Sequence, residues 1–184
     1  DNIKEILRNS LLKNIARNTV FTGKISAVLD LLNKENIRVA LLKGLALELS
    51  DYGNAGLRQM TDADILVSRD NALQTRKILI ENGFTSNPLK SVLYKPVILD
   101  TGKHLPTLTR EGFAVEIHHE LFSLKNTFLT KMLYDGSKEI DINGTKPSYP
   151  YAPATLRPLA AVASAKAALR PHLSKYHSFP HLKG

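Results

Sequence analysis

The most informative stretch of the chain is Asp62-Ala63-Asp64-Ile65-Leu66-Val67. Its alternation predicts a β-strand that buries Ala63, Ile65 and Val67 and turns both aspartates to the opposite face. Two carboxylates this close repel each other unless a cation lies between them. Magnesium or manganese removes that repulsion and accepts oxygen ligands. Asp-x-Asp pairs are also common in surface turns, but this one opens a hydrophobic strand, which favours a metal site.

A second polar pair lies in a later apolar stretch, Phe113-Ala114-Val115-Glu116-Ile117-His118-His119. Alternation places Val115 and Ile117 on one face of a strand and Glu116 and His118 on the other. A carboxylate in an apolar strand is costly to bury unless it is paired or bound to a metal. Two other interpretations stay open: an edge strand whose polar face is in water, and a histidine that forms a structural hydrogen bond.

A glycine interrupts the stretch Leu41-Leu42-Lys43-Gly44-Leu45, where a predicted strand runs into a predicted helix. Glycine lets a phosphate approach the backbone closely, and the free N–H groups at the start of a helix attract anions. Lys43 adds a positive charge for the same anion. A Lys-Gly pair alone is uninformative, but its position just before the aspartate strand predicts a phosphate-binding turn.

The rest of the chain alternates between helical and strand-like patterns. Apolar periodicity predicts helices over 3–21, from Gly23 to about Asn33, and over 45–52, 70–82, 127–134 and 159–169. Strands are predicted over 37–42, 62–67, 91–99, 104–109 and 113–118, the last three as an antiparallel meander. This order indicates an α/β or α+β domain in which helices flank a mixed sheet, with helical extensions at both ends.

The composition is that of one globular domain: 184 residues, 43% of them hydrophobic and 23% charged. The chain contains no cysteine, which excludes disulfides and Cys-ligated zinc. No apolar run is long enough to span a bilayer, and the first residues lack the pattern of a secretory signal. We therefore expect a cytoplasmic protein without a membrane partner.

The formal net charge is +8, and no acidic residue follows Asp141. An excess of basic residues favours anionic partners such as nucleotides and nucleic acids. Tyr149, Tyr151, Tyr176 and Phe179 lie in this basic tail, where they could stack on bases. A nucleic-acid-binding module is therefore one alternative function, and a poorly ordered basic extension is the other interpretation of the tail.

Three motifs, taken in order, resemble those of bacterial nucleotidyltransferase-like proteins, within the superfamily typified by DNA polymerase beta. They are Leu42-Lys43-Gly44, Arg58-Gln59-Met60-Thr61-Asp62-Ala63-Asp64-Ile65-Leu66-Val67 and Glu116-Ile117-His118. The resemblance implies a nucleotidyltransferase-type mixed sheet flanked by helices. Together with the periodicity and composition, it divides the chain into a helical segment over 1–36, a nucleotidyltransferase core over 37–144 and a basic Pro/Ala-rich helical extension over 145–184, which we expect to be truncated.

The resemblance further implies which residues act. The implied catalytic and metal-binding carboxylates are Asp62, Asp64 and Glu116, with Mg²⁺ or Mn²⁺ as the ion. Lys43 and Gly44 would contact the phosphates of the nucleotide. Arg58 either reaches a phosphate or braces the aspartate strand, and His118 is an accessory residue.

The expected function is therefore Mg-dependent transfer of a nucleoside monophosphate from a nucleoside triphosphate to an acceptor hydroxyl, with release of pyrophosphate. The acceptor could be a small molecule, a protein side chain or an RNA end. In the superfamily, the phosphate turn carries Gly followed by Gly or Ser, whereas this chain has only Gly44. That departure leaves open a catalytically inactive nucleotide sensor or partner-binding subunit.

Overall fold

The structure, a computed structural model, describes residues 2–50, 59–86, 99–100, 102–122, 127–139, 142 and 146–149. The chain divides into two compact units, Asp1–Tyr151 and Ala152–Gly184. Every described residue belongs to the first unit. Its helices are α1 (Asn2–Lys34), α2 (Lys43–Ser50), α3 (Ala72–Glu81) and α4 (Thr127–Asp135), with a 3-10 turn over Arg69–Asn71.

Seven strands form one mixed sheet in the order β3-β4-β5-β2-β1-β7-β6. They are β1 (Ala40–Leu41), β2 (Asp62–Leu66), β3 (Thr85–Ser86), β4 (Leu108–Arg110), β5 (Phe113–His118), β6 (Lys138–Glu139) and β7 (Ser148–Tyr149). β2 pairs with β5 and β1 with β7 in parallel, whereas the other neighbours pair antiparallel. A mixed α/β fold with helices around the sheet confirms the predicted fold class.

The main hydrophobic core lies on one face of the sheet. β2 contributes Ala63 and Ile65 to it, and β5 contributes Val115 and Ile117. The helices that pack on this face bury Phe21, Ile25, Val28, Leu29 and Leu32 of α1 and Ala72 and Leu79 of α3. Each fully buried large side chain contributes roughly 1.5–3 kcal/mol, so this face is the main source of hydrophobic stabilisation.

The opposite face of the sheet carries a smaller cluster. Ala40, Leu42 and Leu66 are buried there, and Leu121 and Tyr134 pack against them. Because side chains alternate along a strand, the even-numbered residues of β2 and β5 project from this face. The polar side chains of both strands therefore lie on the side of the sheet that is less occupied by hydrophobic packing.

Two element boundaries were predicted correctly from the sequence: the end of α3 and the turn between β4 and β5. α3 ends where predicted, because Gly83 has a φ of +87° and the N–H of Phe84 donates to the carbonyl of Leu79 at 3.0 Å, which is the glycine-terminated helix end of the Schellman type. Glu111 and Gly112, with φ of +50° and +72°, form the two-residue turn between β4 and β5. Such a turn matches the twist of an antiparallel hairpin.

Other predictions need correction. The two helices predicted on either side of Gly23 are one helix, α1, of 33 residues. A glycine inside a helix costs only about 1 kcal/mol, and the apolar stripe that follows it gains more by packing on the sheet. The strand predicted over 37–42 pairs only at Ala40 and Leu41, and the helix predicted from Leu45 already begins at Lys43.

Two further predicted elements fall on parts of the chain outside the described residues. These are most of the strand over 91–99, of which the structure describes only Leu99, in a turn, and the helix over 159–169. The short helix predicted over 127–134 is confirmed as α4.

Candidate active site

The parallel pairing of β2 with β5 builds the site. In the register of the two strands, Asp64 lies beside Glu116 and Leu66 lies beside His118. The backbone N–H of Leu42 donates to the carbonyl of Asp64 at 2.9 Å. That hydrogen bond ends β1 next to Asp64, so the first residue of α2, Lys43, projects toward the same carboxylate.

Asp64, Glu116 and His118 converge on the face with the smaller cluster. Each offers one ligand atom, and these atoms lie within 4.8 Å of one another. His118 Nε2 is 2.8 Å from Asp64 Oδ1 and 3.6 Å from Glu116 Oε2. Asp64 and His118 are 4% and 2% exposed, so the pair is almost fully removed from water.

Lys43 supplies the positive charge that faces these carboxylates. Its Nζ forms an ion pair with Asp64 Oδ1 and lies 3.7 Å from Glu116 Oε2. Burial lowers the pKa of Lys43, but its hydrogen bond to Asp64 and the charges of Asp64, Glu116 and Asp62 outweigh that effect, so the net pKa is raised. The ammonium is therefore charged at neutral pH.

Glu116 is held in its ionised form. Its hydrogen bond with His118 lowers the pKa of the carboxyl most, burial opposes this, and the charges of Lys43 and His104 lower it further. The hydroxyl of Thr107 donates to Glu116 Oε1 at 3.3 Å. The site thus presents a carboxylate that stays negative across the physiological range.

The other predicted site residues are placed as follows. Asp62 begins β2, is exposed and accepts a hydrogen bond from the hydroxyl of Thr61 at 2.8 Å. Among the described residues, the group within 4.8 Å contains His118 and does not contain Asp62, although the charge of Asp62 acts on Lys43. Gly44 is the second residue of α2. Arg58 lies outside the described residues.

Sequence reasoning missed two residues that surround the site. The ring of His104 lies with its centroid 5.2 Å from that of His118, and the two residues form an isolated β-bridge. Thr107 hydrogen-bonds Glu116 from the segment just before β4. No local pattern could have found either residue, because both reach the site through the pairing of segments around a hairpin.

Just beyond β5 the chain buries two more polar residues. His119 is 2% exposed, and in the part of the chain that the structure describes neither of its ring nitrogens has a hydrogen-bond partner. Glu120 accepts a hydrogen bond from the hydroxyl of Thr130 at 2.7 Å, which fixes the end of β5 to α4. Glu120 therefore anchors the end of the strand that carries Glu116 and His118.

The chain belongs to a nucleotidyltransferase family: the profile described as uncharacterised nucleotidyltransferase matches residues 1–158. It is similar to the crystal structure of a Thermotoga maritima protein assigned as a nucleotidyltransferase, with 16% identity and a TM-score of 0.52. That match covers 83% of this chain and 89% of the other. The likeness shows a shared fold.

A second similar structure is ANT(2″)-Ia in complex with adenylyl-2″-tobramycin, with 12% identity and a TM-score of 0.49, over 82% of this chain and 88% of the other. No curated protein sequence matches the chain significantly. Among the described residues, no helix combines the length and the apolar character needed to cross a membrane.

Proposed function

We propose that the protein transfers a nucleoside monophosphate from a nucleoside triphosphate to an acceptor hydroxyl, with a divalent metal ion as cofactor. One observation carries the proposal: Asp64 and Glu116, from strands paired in register, bring their carboxylates together beside the start of a helix that bears a lysine. Membership in a nucleotidyltransferase family supports the class of reaction.

The residues of the site fit a divalent ion. Asp64 and Glu116 offer oxygen atoms, and oxygen ligands suit Mg²⁺ and Mn²⁺. His118 lies within the same 4.8 Å group and either ligates the ion or orients Asp64 through its hydrogen bond. Asp62, exposed on the same face, is the further oxygen donor that the sequence motif predicts.

When bound, such an ion neutralises phosphate charge and favours loss of the proton from an attacking hydroxyl. The residues of the chain perform the remaining tasks. The first N–H groups of α2, with Lys43 and Gly44, bind phosphate oxygens of the nucleotide. Glu116 stays ionised and so attracts the acceptor hydroxyl. The acceptor oxygen forms a bond to the α-phosphorus, the bond between this phosphorus and the bridging oxygen breaks, pyrophosphate leaves, and the hydroxyl proton passes to solvent.

A second candidate function has one observation in its favour. Lys43 already balances part of the negative charge of Asp64 and Glu116. A site neutralised in this way could bind a nucleotide without catalysing transfer, as a sensor or partner-binding subunit does. The two functions differ in one measurable respect, because only the enzyme consumes the nucleotide.

The decisive experiment incubates the protein with α-labelled nucleoside triphosphates, Mg²⁺ or Mn²⁺ and a panel of small hydroxyl compounds, proteins and RNAs. We expect transfer of label with release of pyrophosphate, and a loss of more than about 100-fold in Asp64→Asn, because even residues behind a metal ligand cost about 10–100-fold. Asp135→Asn removes an exposed carboxylate paired with Lys131 and is the matched control. Equal turnover in folded Asp64→Asn and wild type would disprove the proposed role of Asp64.

Nucleotide binding without label transfer to any acceptor would favour the sensor. Asp62→Asn, assayed in parallel, decides whether Asp62 belongs to the catalytic set, as the motif predicts. A variant with the activity of wild type would remove Asp62 from that set while leaving Asp64 and Glu116 in place.

A further inference from the structure

We propose that Lys43 is a built-in counter-ion that keeps free metal out of the nucleotide-free site and leaves the carboxylates only when a triphosphate binds. The inference rests on the proposed function, because it assumes that the site takes a metal ion and a nucleotide. It adds a rule about their order: the site accepts the metal together with the triphosphate and binds it poorly alone.

The first step is which atoms Lys43 touches. Its Nζ pairs with Asp64 Oδ1, the same oxygen that His118 Nε2 contacts at 2.8 Å. It also lies 3.7 Å from Glu116 Oε2, the oxygen that is 3.6 Å from His118 Nε2. The oxygens that face each other across the site, and that would ligate a metal, are therefore the ones that the ammonium already engages.

The second step is charge. An ammonium and a divalent cation cannot both neutralise a buried carboxylate and its partly buried neighbour, because their mutual repulsion is strong where water is largely excluded. Asp64 is 4% exposed, so water does little to screen this repulsion. Metal binding to the nucleotide-free site must therefore displace Lys43, and the cost of that displacement weakens the affinity for metal.

The third step is that Lys43 can move to another partner. The side chain of Lys43 is 29% exposed, far more than that of Asp64, and Lys43 is the first residue of α2. The backbone of Lys43 adopts a φ of +52°, which is uncommon for a residue other than glycine and occurs in tight turns and at ligand-binding sites. Phosphates at the start of α2 would lie within reach of the same ammonium.

Together these steps couple the two ligands. A triphosphate that attracts Lys43 frees Asp64 and Glu116 for the metal, so nucleotide raises the affinity for metal. By thermodynamic linkage, metal raises the affinity for nucleotide by the same factor. A purely structural ion pair predicts a different result: its removal would lower stability and would not tighten metal binding.

The test measures Mn²⁺ binding to nucleotide-free protein by electron paramagnetic resonance. Lys43→Met keeps the length of the side chain and removes its charge, whereas Lys43→Arg keeps the charge. We expect Lys43→Met to bind Mn²⁺ at least about tenfold more tightly than wild type and Lys43→Arg to bind as weakly as wild type. Lys77→Met is the control for net charge, because Lys77 is exposed and paired only at 3.8 Å with Glu81 among the ion pairs of the described chain.

A second measurement does not depend on the fold of a variant. In wild type, NMR of the lysine ammonium groups follows Lys43 during titration with Mg²⁺ alone and then with Mg²⁺ plus α,β-methylene ATP, which cannot be cleaved at the reacting bond. We expect Mg²⁺ alone to leave the Lys43 signal unchanged up to millimolar concentration and the combination to shift it.

Each result decides the proposal. Equal Mn²⁺ affinity in wild type, Lys43→Met and Lys43→Arg would overturn the counter-ion role, and so would a Lys43 signal that responds fully to Mg²⁺ alone. Either outcome leaves the proposed transferase untouched if label transfer is observed. Absence of metal binding in every protein, with and without the nucleotide analogue, would instead remove both proposals together.

Discussion

His119 is a buried imidazole beside the site, and within the described residues its ring nitrogens have no hydrogen-bond partner. Burial lowers the pKa of its imidazole most, the positive charges of Arg69, His118 and His104 lower it further, and the pKa is about 4 against an ordinary value of 6.5. The folded protein therefore holds His119 neutral between pH 6.5 and 4, while the unfolded chain takes up a proton. The unfolded state binds more protons in that window, so stability is lost as the pH falls.

We predict that the free energy of unfolding decreases by up to roughly 2 kcal/mol from pH 7 to pH 5 through His119 alone. His119→Phe, which needs no hydrogen-bond partner and takes up no proton, should remove this share of the pH dependence. Urea unfolding in EDTA at several pH values measures it. Parallel pH profiles for wild type and His119→Phe would show that the imidazole is not held neutral.

At this scale, the sequence predicted the part of the site that depends on local alternation. The period of two places Glu116 and His118 on one face of β5 and turns Asp64 away from the buried Ala63 and Ile65 of β2, and both facts are visible without a structure. The approach of Lys43 to Asp64 was not predicted, because it depends on the short β1 ending beside β2 and on the positive φ of Lys43. No local pattern encodes either feature.

Among the elements, α1 and α3 show two opposite uses of glycine. Gly23 lies inside α1, and a Cβ built at this position would meet nothing within 4 Å. Gly83 ends α3 with a φ of +87°, a conformation that strains any residue with a Cβ. The residue type is the same at both positions, but the backbone conformation differs. We therefore expect a change to alanine to have opposite effects on stability at the two positions.

We predict that Gly23→Ala stabilises the protein by about 0.5–1 kcal/mol, because alanine is the better helix former and meets no obstacle. Gly83→Ala should destabilise it by about 1 kcal/mol or more, because the helix end requires a left-handed residue. Thermal unfolding of the two variants gives the signs directly. Destabilisation by Gly23→Ala would mean that the helix is interrupted there, as the sequence alone indicated.

That wrong prediction at Gly23 has a physical cause. The tendency of Gly23 to interrupt a helix competes with burial of the apolar side chains around it. The apolar stripe from Phe21 to Leu32 packs on the sheet as one surface. The helix-propensity cost of one glycine is only about 1 kcal/mol, so packing between distant parts of the chain decides whether the helix continues. Sequence periodicity detects that packing only as a tendency. The end of α3 was predictable because Gly83 acts locally.

For the whole molecule, both hydrophobic clusters and the candidate site lie within the first unit of the chain, up to Tyr151. The family match, over residues 1–158, spans nearly the same region. The pairing of β2 with β5, whose partners are about fifty residues apart, brings the aspartate and Glu-x-His motifs together, and the pairing of β1 with β2 adds the Lys43-Gly44 motif. The resemblance to a known family implied that Asp64 and Glu116 act together, but the parallel pairing itself was not predicted, because no turn signal specifies a parallel neighbour so distant in the chain.

We predict that a chain ending at Tyr151 unfolds cooperatively, with a melting temperature within about 3 °C of the full chain, and binds Mn²⁺ in the presence of α,β-methylene ATP as the full chain does. Calorimetry and the Mn²⁺ titration measure both properties. Loss of folding on truncation would show that the first unit needs the second.

The same pair of proteins tests the basic tail. If residues 152–184 form a nucleic-acid module, only the full chain should bind RNA, with a steep dependence on salt.

The side-by-side register of β2 and β5 also restricts how this protein can change over evolutionary time. An extra residue inserted in β5 before Val115 would turn Val115 and Ile117 to the face that carries Asp64 and would turn the carboxylate of Glu116 toward the main hydrophobic core. Homologous chains should therefore vary here by exchange of one amino acid for another, and gaps in their alignment should collect in the connections between strands.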